Sequence, residues 1–154
     1  MHHHRYVVTK SIDTVKRPQV RLKCQKSPIH AWGVYADQPI AAHTMVIEFV
    51  GEIVRQQVAE ARERQRGIGS RYLFRVDEDT MLDATHKGNM ARFINHCCTP
   101  NCSVKIMMVH QQKKVMIYAN RDIEAGEEIT YDYKLPSQTE KIPCRCTSKF
   151  CKGT

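Results

Sequence analysis

The sequence predicts a mostly β domain with short helices. Three observations carry that reading: short runs rich in β-branched and aromatic residues recur along the chain, Gly, Pro and Asp punctuate them, and only two segments have helix-forming composition. The runs at 20–24, 32–36, 45–50 and 72–76 read as strands. Those at 103–109 and 114–119 read as a pair joined by the polar turn His110, Gln111 and Gln112. Ser27-Pro28 and Ala125-Gly126 mark turns. Residues 56–66 hold good helix formers, with Glu60 and Arg64 one turn apart, and Gly67 stops them. Residues 89–95 read as a second, short helix with Met90, Phe93 and Ile94 at core-like spacing. From Leu135 onward the composition predicts a loop-rich tail.

The chain has 154 residues, which suits one compact domain with a real core. No apolar stretch is long enough to span a membrane, and the N-terminus lacks the apolar region of a secretory signal. Met1-His2-His3-His4 reads as the stub of an expression tag on a fragment of a longer protein and is set aside. The formal net charge is +8, which suits either a solvated basic surface or a polyanionic neighbour. Aromatic residues make up 7%, and no basic run alternates with them, which argues against a dedicated single-strand binder.

Of seven cysteines, six fall in two tight clusters. Without a secretory signal, clustered cysteines read as metal ligands in a reducing compartment, cytosol or nucleus. Cys144, Cys146 and Cys151 form C-x-C-x4-C, enough for three corners of a tetrahedral structural zinc. The fourth corner must come from elsewhere, and Cys97, Cys98 and Cys102 are the candidates. Such a site pins the tail to the body of the domain. With four thiolates it has no open position for water.

The run Arg92-Phe93-Ile94-Asn95-His96-Cys97-Cys98-Thr99-Pro100-Asn101-Cys102 closely resembles the R-F-x-N-H-x-C-x-P-N signature of SET-domain lysine methyltransferases. Glu127-Glu128-Ile129-Thr130-Tyr131-Asp132-Tyr133 resembles that family's E-E-L-T-Y-D-Y, and His30-Ala31-Trp32-Gly33 its H-x-x-G cofactor loop. The terminal cysteines resemble its post-SET zinc segment. The stretch from Gly67 to Asp77 and the doubled cysteine before Thr99-Pro100 are similar to the COMPASS-type branch, related to trithorax and the mixed-lineage-leukaemia proteins.

The resemblance implies small curved sheets with a C-terminal pseudoknot that brings Asn95-His96 to Tyr131-Asp132-Tyr133. It divides the chain into an N-terminal segment (1–19), a catalytic SET domain (20–135) and a post-SET zinc segment (136–154). It implies methyl transfer from S-adenosyl-L-methionine, leaving S-adenosyl-L-homocysteine, to lysine 4 of histone H3. Tyr133 is then the catalytic tyrosine, and Tyr131 the residue that sets methyl number, a tyrosine there favouring monomethylation. Cofactor contacts fall on His30, Ala31, Trp32, Tyr72, Arg92, Asn95, His96 and Arg145, with Arg92 also bracing the motif. Zinc falls on Cys98, Cys144, Cys146 and Cys151, leaving Cys97 and Cys102 spare.

Two positions depart from the pattern. Ala31 stands where glycine is common, and Phe49 where this branch usually has tyrosine, removing one channel hydroxyl. The implied partners are the histone H3 tail, the nucleosome and COMPASS-type subunits (WD-repeat and SPRY-domain proteins), with residues 55–66 as the docking helix. The implied location is nuclear chromatin, and the basic charge allows non-specific DNA contact. Two acidic clusters, Asp77, Glu78 and Asp79, and Glu124, Glu127 and Glu128, are candidates to face a basic tail; both also fit solvated turns. The competing readings are a lysine methyltransferase with a non-histone substrate and a catalytically weak, zinc-stabilised chromatin-binding module.

Overall fold

A computed structural model describes residues 20–66, 72–133 and 144–153. The tag-like start, the Gly67 helix stop, most of the branch-like stretch after it and the entry to the tail lie outside the described residues. Among the described residues, ten short strands, two α-helices and one 3-10 turn follow in chain order. They are β1 (Leu22–Lys26), β2 (Trp32–Ala36), β3 (Met45–Phe49), β4 (Glu52–Arg55), α1 (Gln56–Arg66), β5 (Leu73–Arg75) and β6 (Thr80–Asp83). Then come α2 (Ala84–Lys87), the 3-10 turn Met90–Phe93, β7 (Asn95–His96), β8 (Cys102–Val109), β9 (Gln112–Ala119) and β10 (Thr130–Tyr131). No described helix is long and apolar enough to cross a membrane.

The strands form four small sheets: β1–β2, β7–β10, β3–β9–β8 and β4–β6–β5. β1 and β2 are antiparallel, with Leu22 opposite Ala36 and Lys26 opposite Trp32. β8 and β9 are joined by two residues, His110 (φ +47°) and Gln111 (φ +63°), both left-handed, which is the twist that a two-residue hairpin favours. The described residues group into two compact units, one drawn from Ile47–Arg92 and Lys105–Met116, the other from Pro18–Val46, Phe93–Val104 and Ile117–Thr154.

In the first unit, α1 has one buried residue, Ala59, so its own apolar face holds it weakly. Arginine does the holding. Arg62 donates through both terminal nitrogens to Glu52 (2.9 and 3.2 Å), and it and Arg66 both donate to Asp83 Oδ2 (3.0 and 3.1 Å). Two arginines of the predicted docking helix are thus spent on its own seat. Glu60 accepts from Gln56 (2.7 Å), the residue one turn before it. Asp83 is 2% exposed and also caps α2 by accepting from the Thr85 amide (3.0 Å). Burial opposes its charge, but the Thr85 bonds and the two guanidiniums outweigh burial and hold the carboxyl far below the usual carboxylate range.

The sequence reading of 89–95 as helix is corrected. Only Met90–Phe93 turns, as a 3-10 segment, and Asn95 is a strand residue paired in parallel with Thr130. In each acidic cluster one side chain is committed to its own turn. Asp77 pairs with Lys113 (2.8 Å) and accepts from the Asp79 and Thr80 amides. Glu127 pairs with Arg121 (2.8 Å) and accepts from the Glu124 amide. Glu128 turns inward.

Two stability outcomes follow. The folded pKa of Asp83 is depressed, so its contribution is present above the unfolded value of ~3.9 and is lost as pH falls below about 4. Asp83→Asn should cost about 2 kcal/mol or more at neutral pH, by leaving two guanidiniums short of an acceptor, and should flatten the acid limb of a denaturant titration. Gln111→Gly removes a left-handed side chain from the hairpin and should raise stability by about 0.5–1 kcal/mol in urea unfolding.

Candidate functional site

The second unit contains most of the predicted site residues. Its organising feature is a pairing of only two residues: Asn95 lies opposite Thr130 and His96 opposite Tyr131, in parallel. So short a ladder has few backbone bonds of its own, and side chains lace it. Asn101, 5% exposed, donates to the Glu128 carbonyl (2.8 Å) and accepts from the Thr130 amide (2.9 Å). The Cys97 amide donates to the Tyr131 carbonyl (3.3 Å). The Tyr133 hydroxyl donates to the Ile94 carbonyl, and the Tyr133 amide donates to His96 Nδ1 (3.2 Å). Segments far apart in sequence therefore meet.

Three aromatic rings gather at this junction. Tyr131 and Tyr133 are 4.8 Å apart between ring centroids, and His96 and Tyr133 are 5.4 Å apart, edge to face. Tyr131 is buried, and burial, then the adjacent Tyr133, holds its hydroxyl protonated well above the usual tyrosine range. Burial also lowers the His96 pKa, Asp132 opposes that shift, and Lys152 adds to it. Asp132 Oδ1 stands 3.6 Å from Nδ1. Nδ1 already accepts the Tyr133 amide, so the ring is neutral with its proton on Nε2, and the Asp132 contact is no salt bridge.

The loop before β2 is tied to the same junction. Asn95 Nδ2 donates to the carbonyls of His30 (3.3 Å) and Trp32 (3.0 Å) and to Glu128 Oε1 (2.8 Å). Ser27 donates to both Glu128 oxygens (2.8 and 2.9 Å), and the Tyr35 hydroxyl to Oε2 (3.0 Å). Ser27 Oγ in turn accepts from the Ile29 amide (3.0 Å), and the Ser27 amide donates to the Ala31 carbonyl (3.0 Å). Ala31 sits at φ +35°, a left-handed bend that glycine would adopt at less cost. His30, Ala31 and Trp32 are all exposed; Trp32, at 50%, offers an uncovered aromatic face.

The cysteine knot closes this unit. The sulfurs of Cys98, Cys144, Cys146 and Cys151 lie within 4.8 Å of one another. Cys98 is 3.8 Å from Cys144 and 4.0 Å from Cys151. A tetrahedral zinc with ~2.3 Å bonds needs sulfurs about 3.8 Å apart, so the cluster fits that ion. Backbone amides already aim at the sulfurs: Lys152 N–H at Cys98 (3.5 Å) and Gly153 N–H at Cys151 (3.4 Å). Burial works against a Cys146 thiolate, yet the amides of Cys98 and Ser148, with the thiols of Cys144 and Cys151, bring it down to about 6. Burial pushes the Cys144 thiol up to about 12. His96 Nε2 lies 3.5 Å from Cys98 Sγ, so one histidine touches both the knot and the tyrosines.

The spare cysteines have packing roles. Cys102 is 1% exposed, and burial pushes its thiol up to about 12; Cys97 is buried with Thr99 Oγ1 3.7 Å away. Arg145 is exposed, between two ligating cysteines. Tyr72 and Arg92 belong to the first unit. There the Arg92 guanidinium lies 5.9 Å from the Tyr72 ring centroid and donates to the Ala84 and Thr85 carbonyls (3.2 and 3.3 Å), which is bracing. Phe49, also in that unit, is 5% exposed and packs at 5.5 Å on Phe74.

Sequence reasoning missed Ser27, Tyr35, Asn101 and the inward turn of Glu128. Asn101 and Glu128 lie inside the recognised signatures, which was the signal available. Nothing local marks Ser27 or Tyr35, whose partner is about a hundred residues away in sequence.

Several known proteins are similar to this chain. Histone-lysine N-methyltransferase set1 of Dictyostelium discoideum is 54% identical over 147 residues, covering 94% of this chain and 10% of that protein. Human histone-lysine N-methyltransferase SETD1A is 53% identical over 146 residues, covering 93% and 9%. A Yarrowia lipolytica relative, histone-lysine N-methyltransferase, H3 lysine-4 specific, is 53% identical over 148 residues, covering 93% and 13%. The chain thus spans roughly a tenth of the length of the curated relatives it matches. A solved structure, described as ctPRC2 in an autoinhibited conformation bound to S-adenosylmethionine, superposes with a TM-score of 0.72 at 31% identity, over 76% of this chain and 15% of that one. Residues 31–134, more than half of the chain, match the family model described as SET domain, and the chain belongs to that family.

Proposed function

We propose that this chain is the catalytic part of an S-adenosyl-L-methionine-dependent histone-lysine N-methyltransferase acting on lysine 4 of histone H3. The observation that carries it is the junction of β7 and β10, which sets a buried tyrosine, a hydrogen-bonded tyrosine and a neutral histidine beside a loop with an exposed tryptophan. The names of the relatives supply the substrate.

When bound, the cofactor supplies a sulfonium methyl that a neutral amine can attack. The residues of the chain provide the rest. His30, Ala31, Trp32, Asn95, His96 and Arg145 form its cradle, with Tyr72 and Arg92 as further members carried by family likeness. The buried surroundings of Tyr131 disfavour an ammonium ion and favour the neutral lysine amine, against its unperturbed pKa of ~10.4. The Tyr133 proton is committed to the Ile94 carbonyl, so its oxygen faces the reacting groups as an acceptor only. Such an acceptor orients a polarised methyl without taking a proton. Tyr131 fills space beside the amine and favours addition of a single methyl. Cys98, Cys144, Cys146 and Cys151 would hold one structural zinc, and His96 lies between Cys98 and the tyrosines. The partners are the histone tail, the nucleosome and COMPASS-type WD-repeat and SPRY-domain subunits, the place is nuclear chromatin, and the excess positive charge serves non-specific DNA contact.

Mass spectrometry of a histone H3 tail peptide incubated with the protein and cofactor should show the gain of one methyl at lysine 4. Tyr133→Phe should lower kcat by about 100-fold at unchanged zinc content. No gain of mass, even with the partner subunits added, would overturn the enzyme reading in favour of a binding module. Metal analysis should find about one zinc per chain. Cys146→Ser should lose the zinc and loosen cofactor binding together; retention of full cofactor affinity would show the knot to be independent of the site.

A further inference from the structure

We infer that Glu128 is a positioning residue for the methyl-donor loop: its carboxylate sets the loop at 27–33 against Asn95 and thereby sets cofactor affinity, without touching the reacting atoms. The inference rests on the proposed function and names a residue that reading leaves idle.

A single carboxylate here receives four hydrogen bonds from three segments. Ser27 donates to both oxygens, Tyr35 to Oε2 and Asn95 to Oε1, all between 2.8 and 3.0 Å. Two of these donors control the loop. Ser27 Oγ is also the acceptor for the Ile29 amide at 3.0 Å, so the carboxylate orients the hydroxyl that shapes the start of the loop. Asn95 shares its amide between Glu128 and the carbonyls of His30 and Trp32, so the carboxylate orients the group that anchors the end of the loop. Between those anchors lies Ala31 in a left-handed conformation that costs a side-chain-bearing residue about 1 kcal/mol or more, and a bend of that kind persists only where its surroundings over-determine it.

Gly33 shows the same design from the other side. A Cβ built there would overlap Glu128 Oε1 and crowd the Ser27 side chain. The glycine of the H-x-x-G motif is therefore the space in which the carboxylate sits. Its need for glycine is close approach, not an unusual backbone angle. Tyr35 completes the seal: burial, then its bond to Glu128, raises its pKa, so its hydroxyl remains a donor. The backbone of Glu128 is itself held, by the bridge to Tyr35 and by Asn101, which keeps the carboxylate within reach of these donors.

The readouts are cofactor affinity by calorimetry with S-adenosyl-L-homocysteine, steady-state kinetics with H3 peptide, and zinc content. Glu128→Ala leaves three donors without their acceptor and should weaken cofactor binding about tenfold or more. Glu128→Gln keeps one acceptor oxygen and should weaken it less, by about threefold. In both variants zinc content, peptide KM and kcat at saturating cofactor should stay within about threefold of the wild type. Gly33→Ala, which displaces the same carboxylate by a different route, should reproduce the affinity loss. Where Glu128→Ala fails to fold, seen as lost zinc, Glu128→Gln and Ser27→Ala carry the same test. Unchanged cofactor affinity in these variants, or a fall in kcat and a rise in peptide KM in step with its loss, overturns the inference. A wild-type protein that binds no cofactor overturns the proposed function and this inference with it; a wild type that binds as well as its variants overturns the inference alone.

Discussion

The parallel contact of Asn95-His96 with Thr130-Tyr131 is the constraint on which the second unit depends. Parallel strands usually pair deep in larger sheets, where neighbours supply the cooperativity that a two-residue ladder lacks. Here side chains from signature residues do that work. Asn101 bonds to both sides of the incoming segment, His96 accepts from Tyr133, and Tyr133 reaches back to Ile94. Most of these bonds are made by buried or half-buried groups, where an unmatched partner costs more than the bond gains. The junction is therefore all-or-none: each polar group is satisfied only if the others are in place. It couples residues that lie far apart in sequence into one unit.

The zinc knot extends the same logic to the chain end. Residues 144–153 have no regular strand or helix of their own, and Phe150 is 78% exposed, so apolar burial cannot hold this segment. Four sulfurs at zinc-like spacing can, and Cys98 is their link to the domain. Cys98 follows β7 by two residues, so a metal held by these sulfurs would fasten the tail to the strand whose histidine contacts Tyr133. Such an ion would act on the site by geometry rather than by chemistry.

Legibility in the sequence followed the length of the element. β2 and α1 have the bounds that composition predicted, and the 103–109 and 114–119 pair appears as β8 and β9 with small extensions. The four missed strands, β4, β6, β7 and β10, have two to four residues each and show no alternation of their own; pairing creates them. Residues 89–95 have helix-like spacing, but Asn95 is drawn into a strand by tertiary bonds that no local pattern contains. At the site, the clustering of the four cysteines and the meeting of the tyrosines with His96 were legible through family signatures. The inward turn of Glu128 was not, because neighbouring Glu127 has the same chemistry and an exposed salt bridge, and only the three-dimensional position of Ser27, Tyr35 and Asn95 separates the two.

The charge of the chain bears on how a basic peptide is used. Three of the six acidic residues that composition offered as a landing strip are committed elsewhere: Asp77 to Lys113, Glu127 to Arg121 and Glu128 to the loop network. For the reacting nitrogen this is an advantage. A carboxylate beside the target amine would stabilise its ammonium form and raise its pKa, and the protonated amine has no lone pair with which to attack. Buried tyrosines avoid that trap. The Tyr131 hydroxyl stays protonated far above neutral pH, so it brings no charge, and the Tyr133 oxygen can accept without becoming an anion. For the proposed reaction, these uncharged hydroxyls would favour the form of lysine that reacts.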